Sequence, residues 1–328
     1  MRRREFITLM GGAAVAWPLA TQAQQSAMAV IALLNGGAAE AQTGSIAAFR
    51  EGLGETGLVE GRNVIVEYYW IDGQYDRVPA LVADLIRRRV AVIASPGFPT
   101  GALVAKAATA TIPIVFGVGD DPVKLGLVVS LARPGGNVTG INFFMHEIVS
   151  KRLGLLRELV PNAARVAVLV NPGNAAAAEA TLAEARRVAP TLGMEILAFN
   201  ASTVAEIDAA FAAIARERAD ALLVGGDAFL NSRRAQFATL AARDKLPMIG
   251  GTREATLAGG LMSYGAGTAN MFRQVGIYAG SIVKGTKPAD LPVLQSTKFE
   301  LVINLQTAKA LGLAVSPALL GRADEVIE

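Results

Sequence analysis

The patterned part of the chain opens with a continuous apolar run, residues 28–34, that stops at Asn35-Gly36-Gly37. Residues that are apolar at successive rather than alternate positions suit strands buried on both faces of a parallel sheet. A helix is predicted over 39–54, then a strand over 64–69, rich in β-branched and aromatic residues. Residues 78–88 place Val78, Leu81, Val82, Leu85 and Ile86 on one helical face. A strand over 90–94 ends at Ser95-Pro96-Gly97; a helix over 101–110 and a strand over 112–116 follow. The second half repeats the order. Strands are predicted over 165–170, 193–199, 221–224 and from 247, with helices over 176–192, 207–218 and 233–243. Landmarks recur at nearly constant offset: Asn35 and Asn171 are 136 apart, Pro96 and Asp227 131, Pro113 and Pro247 134. Alternating strands and helices in two matching halves predict two open α/β lobes, each a doubly wound parallel sheet.

In such sheets ligands bind beyond the carboxyl ends of the strands. In the first half those ends carry Asn35 and Gly36, residues 95–100, and Gly117 to Asp121; in the second, Asn171 to Asn174, Gly226 to Phe229, and 250–253. Helix N-termini beside them offer free N–H groups and a positive dipole, suited to a carboxylate. Ser95 and Thr100 flank a Pro-Gly-Phe-Pro turn, where their hydroxyls suit either a ligand carboxylate or a helix cap. Asp120 and Asp121 precede Pro122; a carboxylate there suits a ligand ammonium or a cap. Asn35, Asn142, Asn171 and Asn174 suit ligand contacts or turns. Asp227 mirrors the Ser95 loop and is the preferred polar contact of the second lobe. Phe98, Phe143, Phe229 and Tyr264 are candidates to wall an apolar side chain, or to pack in cores and hinge. His146 reads as a surface or hinge residue.

Composition narrows the chemistry. Of 328 residues, 52% are hydrophobic and 18% charged, ample for two cores. There is no Cys and one His, which excludes disulfides, thiolate metal sites, Cys nucleophiles and any two-His metal site. Neither glycine turn, Gly135-Gly136-Asn137 nor Gly250-Gly251-Thr252, matches a nucleotide motif. No catalytic residue, metal ligand or cofactor is therefore assigned.

Arg2-Arg3-Arg4, an apolar run over 7–20 and small residues before position 24 have the form of a cleaved export signal, residues 1–23. Arg3-Arg4-Glu5-Phe6-Ile7 fits the twin-arginine pattern. Its removal lowers the basic count from 31 to 28 and the acidic count from 28 to 27, so the net charge falls from +3 to +1. With no basic stripe interleaved with aromatics, a nucleic-acid partner is not expected.

Longer strings carry more. Gly259-Gly260-Leu261-Met262-Ser263-Tyr264-Gly265, Lys284-Gly285-Thr286-Lys287-Pro288, Thr297-Lys298-Phe299-Glu300-Leu301-Val302-Ile303-Asn304, and Arg133-Pro134-Gly135-Gly136-Asn137-Val138-Thr139-Gly140 stand in order along the chain. Together they resemble the ABC-transporter substrate-binding family that includes tryptophan- and tyrosine-binding lipoproteins. The resemblance implies a type I periplasmic-binding-protein fold, with crossings near 140–144, 263–267 and 291–294. It divides the chain into 28–142 plus 265–292 and 143–264 plus 293–328. It also implies a monomeric periplasmic protein that captures a small ligand, an amino acid of aromatic or branched kind, for an ABC permease in the inner membrane. Some relatives are lipid-anchored through a Cys that this chain lacks. A sensory binding module and an α/β enzyme such as a racemase are the competing readings.

Overall fold

The computed structural model describes residues 28–145 and 148–328. The predicted export signal and His146 lie outside the described residues. Ten strands come in two groups of five: β1 (Ala29–Asn35), β2 (Val64–Trp70), β3 (Val92–Pro96), β4 (Ile114–Val118) and β5 (Val138–Asn142), then β6 (Arg165–Val170), β7 (Glu195–Asn200), β8 (Ala221–Val224), β9 (Met248–Gly250) and β10 (Met262–Ala266). The tail adds β11 (Leu294–Gln295), β12 (Phe299–Asn304) and β13 (Glu325–Ile327).

The first sheet has the order β11-β5-β4-β3-β1-β2 and is parallel throughout. The second has the order β13-β12-β10-β9-β8-β6-β7, parallel except where β12 runs against β10. The apolar runs are buried because helices cover both faces. Ile31 and Leu33 face one cluster with Phe49 and Phe272, while Ala32 and Leu34 face another with Val82 and Phe98. The second sheet divides the same way, Val166 and Val168 toward Leu153 and Leu156, Ala167 and Leu169 toward Phe211 and Phe237.

The predicted elements shift by about one turn or less. The strands expected from 90 and 112 begin at Val92 and Ile114. Arg89 has φ +54 and the Val90 N–H still bonds to Leu85 O, so the preceding helix's end takes those residues. The helix expected over 39–54 is a 3-10 turn, Ala39–Gln42, followed by an α-helix, Thr43–Glu55. Gly265 and Ala266 stay in the second sheet and Leu294–Gln295 joins the first, where the resemblance had put divisions at 264/265 and 292/293. The chain leaves the first sheet after Asn142, returns after Ala266 and leaves again after Gln295.

The return brings helix Thr268–Val283 against helix Thr43–Glu55 at very short range. A Cβ on Gly276 would lie 2.2 Å from Phe49 O, and one on Gly52 2.0 Å from Arg273 O. Glycine at both crossing points lets the backbones touch. Among the described residues no helix is long and apolar enough to cross a membrane, and no group of three or more His, Asp or Glu is placed to hold a metal ion.

Candidate functional site

The carboxyl ends of the strands from the two sheets face each other across a cleft of about 800 Å³, its mouth included. Of the sequence candidates, Asn35, Phe143, Asn174 and Asp227 line it. Four helices of eight residues or more begin on this cleft: Thr43–Glu55, Pro99–Ala108, Ala175–Val188 and Thr268–Val283. None has a side-chain cap on its first turn. Helices elsewhere do: Thr203, Asn304 and Ser316 each accept a first-turn N–H. Three of these, Pro99–Ala108, Ala175–Val188 and Thr268–Val283, start without a preceding helical turn, and their first-turn N–H groups give the cleft a positive floor suited to an anion. Met145, Met271 and Phe272 join Phe143 in lining it, so apolar surface stands beside the polar ends.

One edge of the cleft is already joined. Tyr75 of the first lobe donates its hydroxyl to Asp227 Oδ2 of the second at 2.8 Å. Asp227 also accepts from Asn171 Nδ2 at 3.0 Å, Asn174 Nδ2 at 3.2 Å and the Leu230 N–H at 3.0 Å. It thus caps the short helix Ala228–Ser232 and anchors the contact between lobes. Burial, then the neighbouring Asp227 charge, pushes the Tyr75 phenol well above its ordinary pKa. Arg233 pairs with Asp72 beside it, and Arg234 Nη2 donates to Ala41 O at 2.9 Å, both across the same edge. Asp72 and Gly73 form the turn that presents this edge, with φ of +49° and +81°. The backbone is left-handed there, where glycine carries no steric penalty. A Cβ at Gly73 would also lie 3.0 Å from the Phe229 ring.

The other candidates sit elsewhere. Phe98 and Phe229 are 1% exposed and belong to the cores of their lobes; Phe98 leans on Tyr75 with centroids 5.2 Å apart. Tyr264 stacks on Phe299 at 6.0 Å. These three rings are core and hinge packing, and Phe143 alone of the four expected walls lines the cleft. The Ser95 hydroxyl donates to Phe98 O at 2.7 Å within its own turn. Thr100, in the first turn of its helix, does not line the cleft. Gly36 packs under Phe98 and Ala228, where its Cβ would be 2.8 Å and 3.2 Å away. Asn142 and Asn171 are buried and bond to backbone N–H groups two residues on, Phe144 and Gly173. Asp121 caps the turn at Val123, 2.8 Å away. Asp120 lines, with Asp121, Glu184 and Arg187, a second hollow that shares Gly119 with the cleft.

Sequence reasoning missed Gln42, Ser45, Met145, Arg234, Glu254 and Met271, which also line the cleft, whereas Thr252, which lines it too, falls in the strand end 250–253 marked in advance. They reach it through loop and helix-start positions whose direction depends on how the lobes meet.

Two facing open α/β lobes, joined by three crossings and holding a cleft at their strand ends, define a two-lobed small-molecule binding protein. The profile of the family described as ABC transporter substrate binding protein matches residues 27–327, and the chain belongs to that family. It is 26% identical over 263 residues to a tyrosine-binding protein of Clostridioides difficile, covering 80% of this chain and 75% of the relative. Its fold is shared with a conserved domain protein of Vibrio cholerae, 27% identical with TM-score 0.81, covering 92% of this chain and all of that one. A Streptococcus pneumonia ABC domain in complex with L-Trp is 23% identical with TM-score 0.80, over 92% of this chain and all of that one. A ligand-free, open substrate-binding protein of Clostridium difficile gives 22% and TM-score 0.61, over 92% and 99%.

Proposed function

We propose that this protein is the solute-capturing component of an ABC importer, exported to the periplasm by a cleaved twin-arginine-type signal at residues 1–23. It works as a monomer, takes an amino acid with an aromatic or branched side chain into the cleft, and presents the closed form to an inner-membrane permease. The observation that carries this reading is the convergence of three uncapped helix N-termini on one interlobe cleft that also has an apolar lining. A carboxylate suits the N-termini, the aromatic or branched body suits Phe143, Met145, Met271 and Phe272, and an ammonium suits Asp227 or Glu254. A tyrosine-binding relative and the structure with bound L-Trp support the same class. Mechanism follows from geometry: a ligand touching both lobes binds the closed form better, so it shifts the open–closed balance by its difference in affinity. No chemistry is required of the protein.

The test is a thermal melt of residues 24–328 with L-tyrosine, L-tryptophan, L-leucine and benzoate. A ligand at 100 times its Kd adds about 2.7 kcal/mol, a shift of several degrees. Stabilisation by an amino acid is the expected result. No shift with any amino acid removes that ligand class, and turnover or cofactor binding by the pure protein removes the binding-protein reading.

A further inference from the structure

Arg152, on helix Val149–Leu159, is 0% exposed. Its Nε donates to Tyr264 O at 2.8 Å, its Nη2 meets Met145 Sδ at 2.8 Å, and its Nη1 has no partner. Burial lowers its pKa to about 9, so it stays charged near neutrality. Among the described residues no carboxylate pairs with it.

Other arginines of the chain show what is missing. Arg157, five residues on, spreads its guanidinium over the carbonyls of Pro161, Ala163, Leu192 and Gly193, as a structural arginine does. Arg50 and Arg253 are surface groups paired with Glu60 and Glu325. Arg152 is the deepest of these and has the poorest partners, since a thioether is a weak acceptor. A buried cation without a counter-charge is strongly unfavourable unless something supplies one.

The surroundings show where it would come from. Met145 touches the guanidinium and also lines the cleft. Gly251 leaves the slot: a Cβ there would lie 2.6 Å from Arg152 Nη2 and 2.6 Å from Met145 Sδ. Its neighbour Thr252 lines the cleft, as do Ala266 and Gly267, just beyond the Tyr264 carbonyl that Arg152 holds. The guanidinium therefore stands one side chain behind the cleft wall, with Met145 between it and the cleft.

We infer that Arg152 is the anion anchor of the cleft, receiving the carboxylate of the captured solute at the place Met145 Sδ now takes beside Nη2. The planar guanidinium offers two parallel N–H groups, which match a carboxylate. The inference rests on the reading of the cleft as a site for carboxylate-bearing solutes.

The experiment has two arms. In the first, titration calorimetry compares L-tryptophan, L-tyrosine and benzoate with tryptophanamide, tyrosinamide and benzamide. It uses the wild type, Arg152→Met and Arg152→Lys. The wild type should prefer the acid. Arg152→Met should lose roughly 100-fold for the acid while its affinity for the amide stays within a few fold, and Arg152→Lys should recover part of the loss. Equal losses for acid and amide, or Arg152→Met binding the acid as the wild type does, overturn the inference. A wild type that binds acid and amide equally also overturns it but leaves the amino-acid reading standing. A wild type that binds none of the six removes that reading, and the second arm then decides. It measures the melting temperature of the proteins without ligand. An unpaired buried charge replaced by an apolar side chain should leave the melting temperature unchanged or raised. A fall of several degrees in Arg152→Met, or its failure to fold while Arg152→Lys folds normally, makes Arg152 a structural strut and ends the proposal.

Discussion

Asp227 is one side chain with four bonds. It caps Leu230, receives both Asn171 and Asn174, and takes the Tyr75 hydroxyl from the other lobe. The sequence placed it at a strand end; only packing shows that two asparagines and a tyrosine converge there. Tyr75 carries a pH prediction. Its folded pKa is raised, as are those of Tyr68 and Tyr278, in each case first by burial. The unfolded chain releases these protons near pH 10. The folded chain keeps them longer, so above that pH it binds more protons than the unfolded one and stability falls as pH rises. Urea melts should show no contribution from these groups between pH 7 and 9 and a decline above about pH 10. Tyr75→Phe should shrink that decline; an unaltered decline would mean that Tyr75 ionises freely in the folded state.

At the scale of elements, the join between helices Thr43–Glu55 and Thr268–Val283 decides whether the first lobe is complete. Alanine is worth about 1 kcal/mol over glycine inside a helix. At Gly276, however, the added carbon meets backbone that cannot turn aside. Gly276→Ala should therefore destabilise, by about 1–3 kcal/mol on the scale of overpacked cores. Gly154 is the contrast: it is mid-helix with nothing within 4 Å of its Cβ position. Gly154→Ala should stabilise by about 0.5–1 kcal/mol. Chemical denaturation of both variants reads the two signs. Both glycines look alike in a helical pattern, because that pattern records position on one helix and not the distance to another.

For the whole molecule, Tyr75 with Asp227 and Asp72 with Arg233 form a latch that joins the lobes at one edge of the cleft. Removing it with Tyr75→Phe and Asp72→Asn together should enlarge the unliganded protein in small-angle scattering. It should also weaken ligand affinity by about tenfold, since closure would then draw on binding energy. The tyrosine bond should supply most of this, because Asp72 is 42% exposed and a wet ion pair contributes little. An unchanged radius with unchanged affinity would show that these contacts do not govern closure.

The sequence by itself determined eight of the thirteen strands among the described residues and the two-lobed organisation, and it marked the strand ends as the place to look for a ligand. Runs such as 28–34 and 166–170 are apolar at every position, and burial on both faces is a local property that such a run records directly. The recurrence of Asn35 at Asn171 likewise needed no three-dimensional information. What the tertiary structure decided is which strand-end groups face the cleft. Phe98 and Phe229 turned into cores and Phe143 toward the cleft, although all three are phenylalanines within five residues of a strand's end. Arg152 lies in an ordinary amphipathic helix, and its surroundings arise only where residues near 145, 251 and 264 meet it. The bond to Tyr264 spans 112 positions of the chain, and the direction a loop side chain takes depends on how two rigid lobes dock, which no local period encodes.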